Sequence, residues 1–205
     1  MATSRDAGLV LLSGTAASAA EWVRGGVVPC HVAEHSGQTP WALVTPAVAG
    51  TAAQEPYDEA LTLLAARHVG PRLAPTIGLF VLDGAAVLTA QGGGWRAVRR
   101  WALRDEQRRV VRGPDLPPLR PSDLHRVLAT SAGARAGELV HVSEVERLWG
   151  RTDLTAREWV VEVTRVLRLP GGRVLDGTDA HPGPRVDPDA RAVASFESVV
   201  KDVHG

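Results

Sequence analysis

The segment 95–112, WRAVRRWALRDEQRRVVR, holds two tryptophans and seven arginines in eighteen residues, against only Asp105 and Glu106. Guanidinium groups fork onto carboxylates and phosphates, and indoles offer flat apolar area, so this density of both suits binding to an anionic or protein surface. Read as a strand, 95–104 places Trp95, Ala97, Arg99, Trp101 and Leu103 on one side and Arg96, Val98, Arg100, Ala102 and Arg104 on the other. The tryptophans then face a core. Arg96, Arg100 and Arg104 form an outward row, which Arg108, Arg109 and Arg112 extend, and these six arginines are the candidate interaction residues. A helix over 95–104 is the competing reading, because Trp95, Val98 and Ala102 also share a helical face.

Catalytic chemistry finds less to work with. Cys30, His31 and His35 are close in sequence and could form a metal site or a thiol–imidazole pair. On a strand the two histidines share a side but stand about 13 Å apart at ~3.3 Å per residue, too far for one metal ion. A buried thiol between strand-end histidines is the plainer expectation. Gly92-Gly93-Gly94, with Arg96 near it, could cradle a phosphate, but it lacks the spacing of a phosphate-binding loop and reads as a turn. Asp83 is a lone carboxylate amid apolar strands, and Asp-Gly there marks a hairpin. Asp123 with His125, and Glu138 with His141, come with no nucleophile. Neither a metal nor a cofactor is expected.

Composition narrows the field. The chain has 205 residues, 44% of them hydrophobic, and a formal net charge of zero. A neutral balance argues against non-specific nucleic-acid binding as the main task. The chain lacks Asn and has one each of Lys, Ile and Tyr, which indicates coding in a GC-rich bacterial genome; 22 of its 23 basic residues are therefore Arg. Cys30 is the single cysteine, so no intrachain disulfide forms and a reducing cytoplasm is expected. Ala7–Leu12 followed by Ala16-Ala17-Ser18-Ala19 resembles the start of an export signal, but Asp6 and the break at Ser13-Gly14-Thr15 count against it. No stretch reaches the ~20 apolar residues of a membrane span.

The elements that must position these groups read as follows. Gly8–Leu12 suits a buried strand, and Thr15 caps a helix to about Arg24, stopped by Gly25-Gly26. Val27–Glu34 and Trp41–Val48 read as strands that lie at edges or end at Pro29 and Pro46. Pro56 opens a helix to about Val69. Thr76–Leu82, Asp83-Gly84 and Ala85–Gln91 form a hairpin, and with 95–104 and Arg108–Arg112 a four-stranded antiparallel meander. Gly113–Pro121, with two P-x-x-P spacings, reads as a stiff connector. Helices follow: one from Ser122, one behind a Ser143/Glu146 capping box, one behind a Thr155/Glu158 box with Leu154 stapled to Trp159, and one after Asp187-Pro188. In the last, Val193, Phe196, Val199 or Val200, and Val203 line a side that should dock.

The expected fold is α+β. A mixed or antiparallel sheet with two helices and a β-meander (1–113) leads through a proline-rich connector (114–121) to a mostly helical region (122–205) packed on the first. The expected function is a non-catalytic accessory, adaptor or assembly protein, acting through a protein partner or self-association as an oligomer. A nucleic-acid-binding module using 95–112, with bases stacked on Trp95 or Trp101, is the first alternative. An enzyme centred on Cys30 is the second. No membrane contact is expected.

Overall fold

The computed structural model describes residues 6–36, 40–51, 53, 57–94, 97–105, 109–111, 115–131, 141–179 and 183–204. The fold is α+β. Its strands are β1 (Ala7–Ser13), β2 (Cys30–Ser36), β3 (Pro40–Pro46), β4 (Thr76–Leu82), β5 (Ala85–Gln91), β6 (Arg100–Arg104), β7 (Val110–Val111) and β8 (Arg185–Val186). They make one sheet in the order β7-β6-β5-β4-β1-β3-β2-β8, each neighbour antiparallel to the next. The helices are α1 (Ala16–Arg24), α2 (Ala60–Ala66), α3 (Pro121–Ser131), α4 (Val142–Trp149), α5 (Ala156–Val166), α6 (Gly172–Leu175) and α7 (Ala190–His204).

Helices cover both faces of the sheet. Leu9, Leu11, Leu43, Leu79, Leu88 and Ala102 point to one side, where α3, α4, α5 and α6 contribute Leu124, Leu148, Trp159 and Leu175. Val10, Leu12, Val44, Phe80 and Val87 point to the other, against Ala19 and Val23 of α1 and Leu64 of α2. Burial on both faces explains why the central strands are unbroken apolar runs instead of alternating ones. The meander β4-β5-β6-β7 forms as the turn chemistry requires. Asp83 and Gly84 take φ of 48° and 77°, the two left-handed residues of a tight hairpin whose backbone twist matches its strands.

Local signals set most helix starts. The Thr15 side chain accepts from Ser18 N, and Thr155 and Glu158 complete the reciprocal capping box of α5. The Ser143/Glu146 box does not form: α4 begins two residues earlier than that cap implies, at Val142, with His141 in the cap position and no side-chain bond there. The last helix starts past Asp187-Pro188, where the Asp189 carbonyl accepts from Ala192 N and Val193 N. Val193 and Phe196 pack partly against the α1 side, Tyr57 meets Phe196 edge-on at 5.5 Å, and Val199 stays exposed. α2 begins at Ala60, after Glu59; the expected Pro56 start lies outside the described residues.

Two connections differ from the sequence reading. Ala97–Arg99 belong to no strand, so β6 is five residues long and begins at Arg100. Within 114–121, Pro117 O accepts from Trp101 N at 2.8 Å and Leu119 N donates to Trp101 O at 2.7 Å, which lays this segment along β6. Leu119 is buried in the same cluster as the sheet and α3–α6. The C-terminal region also returns a strand, because β8 pairs with β2 at His31 and Cys30.

Candidate functional site

Of the six candidate arginines, Arg100, Arg104 and Arg109 are among the described residues, and these three do not share one outward row. Arg96, Arg108 and Arg112 lie outside the described residues, as does Trp95. Arg104 is 2% exposed and one of the largest enclosed side chains. The reason is the second helical layer: along β6, Ala102 and Arg104 face α3–α6 while Trp101 and Leu103 face the α2 side. The alternation is real, but neither face is solvent. Arg104 Nη1 donates to Thr155 O at 3.1 Å and Nη2 to Arg151 O at 3.0 Å, and its guanidinium stands 5.6 Å from the Trp159 ring centroid. It fastens the α4–α5 connection to the sheet.

Arg100 and Arg109 keep solvent contact. Arg109 is 67% exposed, 3.9 Å from Asp105 across the β6–β7 turn, and its N–H donates to Asp105 Oδ1 at 2.8 Å. Arg100, 40% exposed, donates to Pro118 O and approaches Asp123 at 3.8 Å. Arg126 of α3 reaches the same carboxylate at 3.4 Å and is 74% exposed. Asp123 also accepts from Arg120 N at 3.1 Å, at the start of α3, so its role is to hold that helix start and collect two guanidiniums. These groups ring a recess of about 280 Å³ floored by Ala90, Ala97 and Val127, with Gly92 and Gly93 at its edge. Val98 stands on its rim at 57% exposure, one of four exposed large hydrophobic residues among those described.

The other sequence candidates take structural roles. Cys30 is fully buried, and its Sγ donates to Val28 O at 3.3 Å. Burial pushes its pKa up to about 12, against the opposing field of Arg67. That leaves no thiolate for nucleophilic attack near neutral pH. His31 turns to the opposite face and bonds Gly183 O through Nδ1 at 3.1 Å; His35 lies exposed further along β2. Among the described residues, no group of three or more His, Cys, Asp or Glu side chains is arranged to hold a metal. Asp83 occupies the hairpin turn, where its N–H donates to Asp6 Oδ1 at 3.1 Å. Burial and the neighbouring Asp83 and Glu59 raise the Asp6 pKa. Glu138 lies outside the described residues.

Two arginines that the sequence did not single out close helix ends. Arg67 donates to Trp22 O near the end of α1 and stacks 3.9 Å from the Trp22 ring centroid. Arg99 donates to Ala65 O and Arg67 O at the end of α2. A cation at a helix C-terminus meets the negative end of the dipole and the orphan carbonyls. In a chain this rich in Arg, nothing in composition marks such residues out.

Cys30 gives a direct test of the thiol's state. Iodoacetamide at pH 8 is expected to leave folded protein unmodified and to label it fully in denaturant. The folded thiol pKa of about 12 exceeds its ordinary 9.0, so its stabilising effect is complete below pH 9 and fades as pH rises toward 12. Burial lowers Arg67 to about 10, which acts in the opposite sense only above that pH. Between pH 9 and 10 the wild type should therefore lose about 1 kcal/mol relative to Cys30→Ala in urea unfolding. Rapid labelling of the native protein would contradict this account.

No protein family, no curated protein and no solved structure matches this chain.

Proposed function

We propose that this protein is a non-catalytic accessory or assembly component that binds another protein, or a second copy of itself, through the recess beside the β5–β6 connection. The supporting observation is Val98, exposed at 57% and lining the same recess as Arg100 and Arg126. An apolar knob rimmed by arginine is the composition of an interface centre, where Arg and apolar groups are enriched and Lys and Glu depleted. The complementary surface carries an apolar side chain for the recess and carboxylates for the two arginines. Arg109, exposed at the β6–β7 turn, lies at the opposite end of β6 from this recess and does not line it. For the nucleic-acid alternative, Arg104 is internal and Trp101 packs toward α2, while Trp95, Arg96, Arg108 and Arg112 lie outside the described residues.

The test is a double variant, Val98→Asp with Arg126→Glu, which leaves Asp123 and Arg100 in place at the start of α3. Native-source affinity purification is expected to recover a stoichiometric partner with the wild type, or light scattering to show a defined oligomer. Either should be lost in the variant while the melting temperature moves by only about 2 °C, as for surface substitutions. A variant that keeps the partner, or a wild type that is monomeric and binds nothing, overturns the proposal. Salt-sensitive oligonucleotide binding would transfer the case to a nucleic-acid role.

A further inference from the structure

The turn between α5 and α6 carries an arginine where glycine is the least strained residue. After the last turn of α5, Arg168 takes φ +52°, its N–H donates to Arg165 O at 3.3 Å, and Leu169 N donates to Thr164 O at 2.9 Å. This is the left-handed residue that closes a helix, a position in which a Cβ crowds its own backbone. Among the described residues the other left-handed non-glycines are Asp83 and Asp115, and aspartate tolerates that geometry through its short side chain. GC-rich coding does not explain Arg168, because glycine codons are as rich in those bases as arginine codons. The chain does use glycine in left-handed geometry at 84, 94, 171, 177 and 183.

The strained backbone sets where the exposed Arg168 side chain leaves the turn. Arg168 lies at a cleft of about 540 Å³ between the α5–α6 turn and the β2–β3 pair. Ala33, Leu43 and Leu169 provide apolar walls, and Arg165, Arg168, Arg173 and His35 bring cationic or ionisable groups. Ala33 is paired with Leu43 and His35 with Trp41, which places His35 on the cleft's side of β2, and the exposed Glu34 between them also lines the cleft. Asp179 is the second carboxylate in the lining. Arg165 is engaged by Glu162 through two contacts of 2.5 and 2.7 Å. Arg168 and Arg173 form no salt bridge among the described residues.

The backbone beneath these side chains is fixed. Leu167, Leu169 and Leu175 are buried on either side of the turn. A Cβ on Gly171 would stand 2.4 Å from Leu9 Cδ2, and one on Gly172 would stand 2.8 Å from Thr164 Oγ1, so the turn is pressed against sheet and helix and cannot ride up. The C-terminal end of α5 accounts for part of this positive charge, since its dipole amounts to about half a negative charge. Arg165 in α5 is engaged by Glu162 and Arg173 in α6 acts on Asp176, which leaves Arg168 as the cation added by the turn itself.

We propose that this cleft binds a small phosphorylated molecule, its phosphate held between Arg168 and Arg173 and its organic part lying on the apolar wall of β2 and β3. Two planar guanidiniums match the several acceptor oxygens of a phosphate dianion, and the volume lies within the ~300–1,000 Å³ of small-molecule sites. This site is separate from the Val98 recess and does not depend on it.

Arg168→Gly separates a ligand role from a structural one. The glycine removes the backbone strain, so the unliganded variant is expected to melt about 2–4 °C higher than the wild type. Calorimetric titration with a hexose 6-phosphate, at matched ionic strength, should give saturable binding to the wild type. Binding should weaken about tenfold or more in Arg168→Gly and in Arg173→Ala. Inorganic phosphate should bind more weakly than the hexose phosphate. Equal binding by wild type and Arg168→Gly, no binding at millimolar ligand, or preference for inorganic phosphate (an adventitious ion only) would each overturn the proposal. A lower melting temperature in Arg168→Gly would do the same, because it would make Arg168 a structural clamp.

Discussion

Arg104→Glu is expected to leave the chain unfolded at room temperature, and Arg104→Ala to remove about 3–5 kcal/mol, a large share of the ~5–15 kcal/mol that holds a domain together. The side chain rises from β6 through the core and donates to both ends of the α4–α5 connection, at Arg151 O and Thr155 O. Thr155 O keeps a second donor in Trp159 N, so alanine orphans the Arg151 carbonyl more severely and opens a cavity beneath Trp159. Glutamate adds a negative charge facing two carbonyl oxygens. Arg104→Met fills most of the volume and isolates the lost hydrogen bonds, at about 2 kcal/mol. Urea unfolding followed by tryptophan fluorescence measures all three. An Arg104→Ala variant within 1 kcal/mol of the wild type would show that the side chain does not fasten the connection.

This residue also marks the boundary of what the sequence makes legible. Short-range signals are readable and form as written: Thr15 before α1, Asp83-Gly84 in the hairpin, and the Thr155/Glu158 box of α5. Each is decided by residues within a few positions of one another, so a local pattern carries the full physical cause. The β6 alternation is equally readable, yet its meaning depends on elements far away. Inside and outside are distinct only when one face of a sheet is wet, and α4 and α5, some fifty residues downstream by the Arg104–Thr155 separation of 51, cover the face assigned to solvent. The Ser143 box fails for a subtler reason: His141 already stands at the start of α4, so the competing local signal is two helix positions too late. At Arg168 the sequence shows only a helix followed by Pro170-Gly171-Gly172. The left-handed backbone that makes the arginine costly there exists only once Leu167 and Leu169 are buried on either side of it.

Trp159→Ala is the second large expected effect, about 3–5 kcal/mol. The indole is completely enclosed at the start of α5, its Nε1 donates to Leu148 O at 3.0 Å, and Trp149 meets it at 5.3 Å with the rings inclined by 62°. Leu154, at the residue before the cap, packs against the same cluster. Trp159 therefore ties α4 to α5 from inside the helical layer, as Arg104 ties both to the sheet. Trp159→Phe keeps most of the apolar area but orphans the Leu148 carbonyl, for a loss of about 1–2 kcal/mol. The two anchors share the space between β6 and the α4–α5 connection, so their effects should not add. In a double-mutant cycle of Arg104→Met and Trp159→Phe, the coupling is expected to be about 0.5–2 kcal/mol, since each change removes part of what the other side chain packs against. Additivity within about 0.3 kcal/mol would mean that the helical layer is held to the sheet by independent contacts.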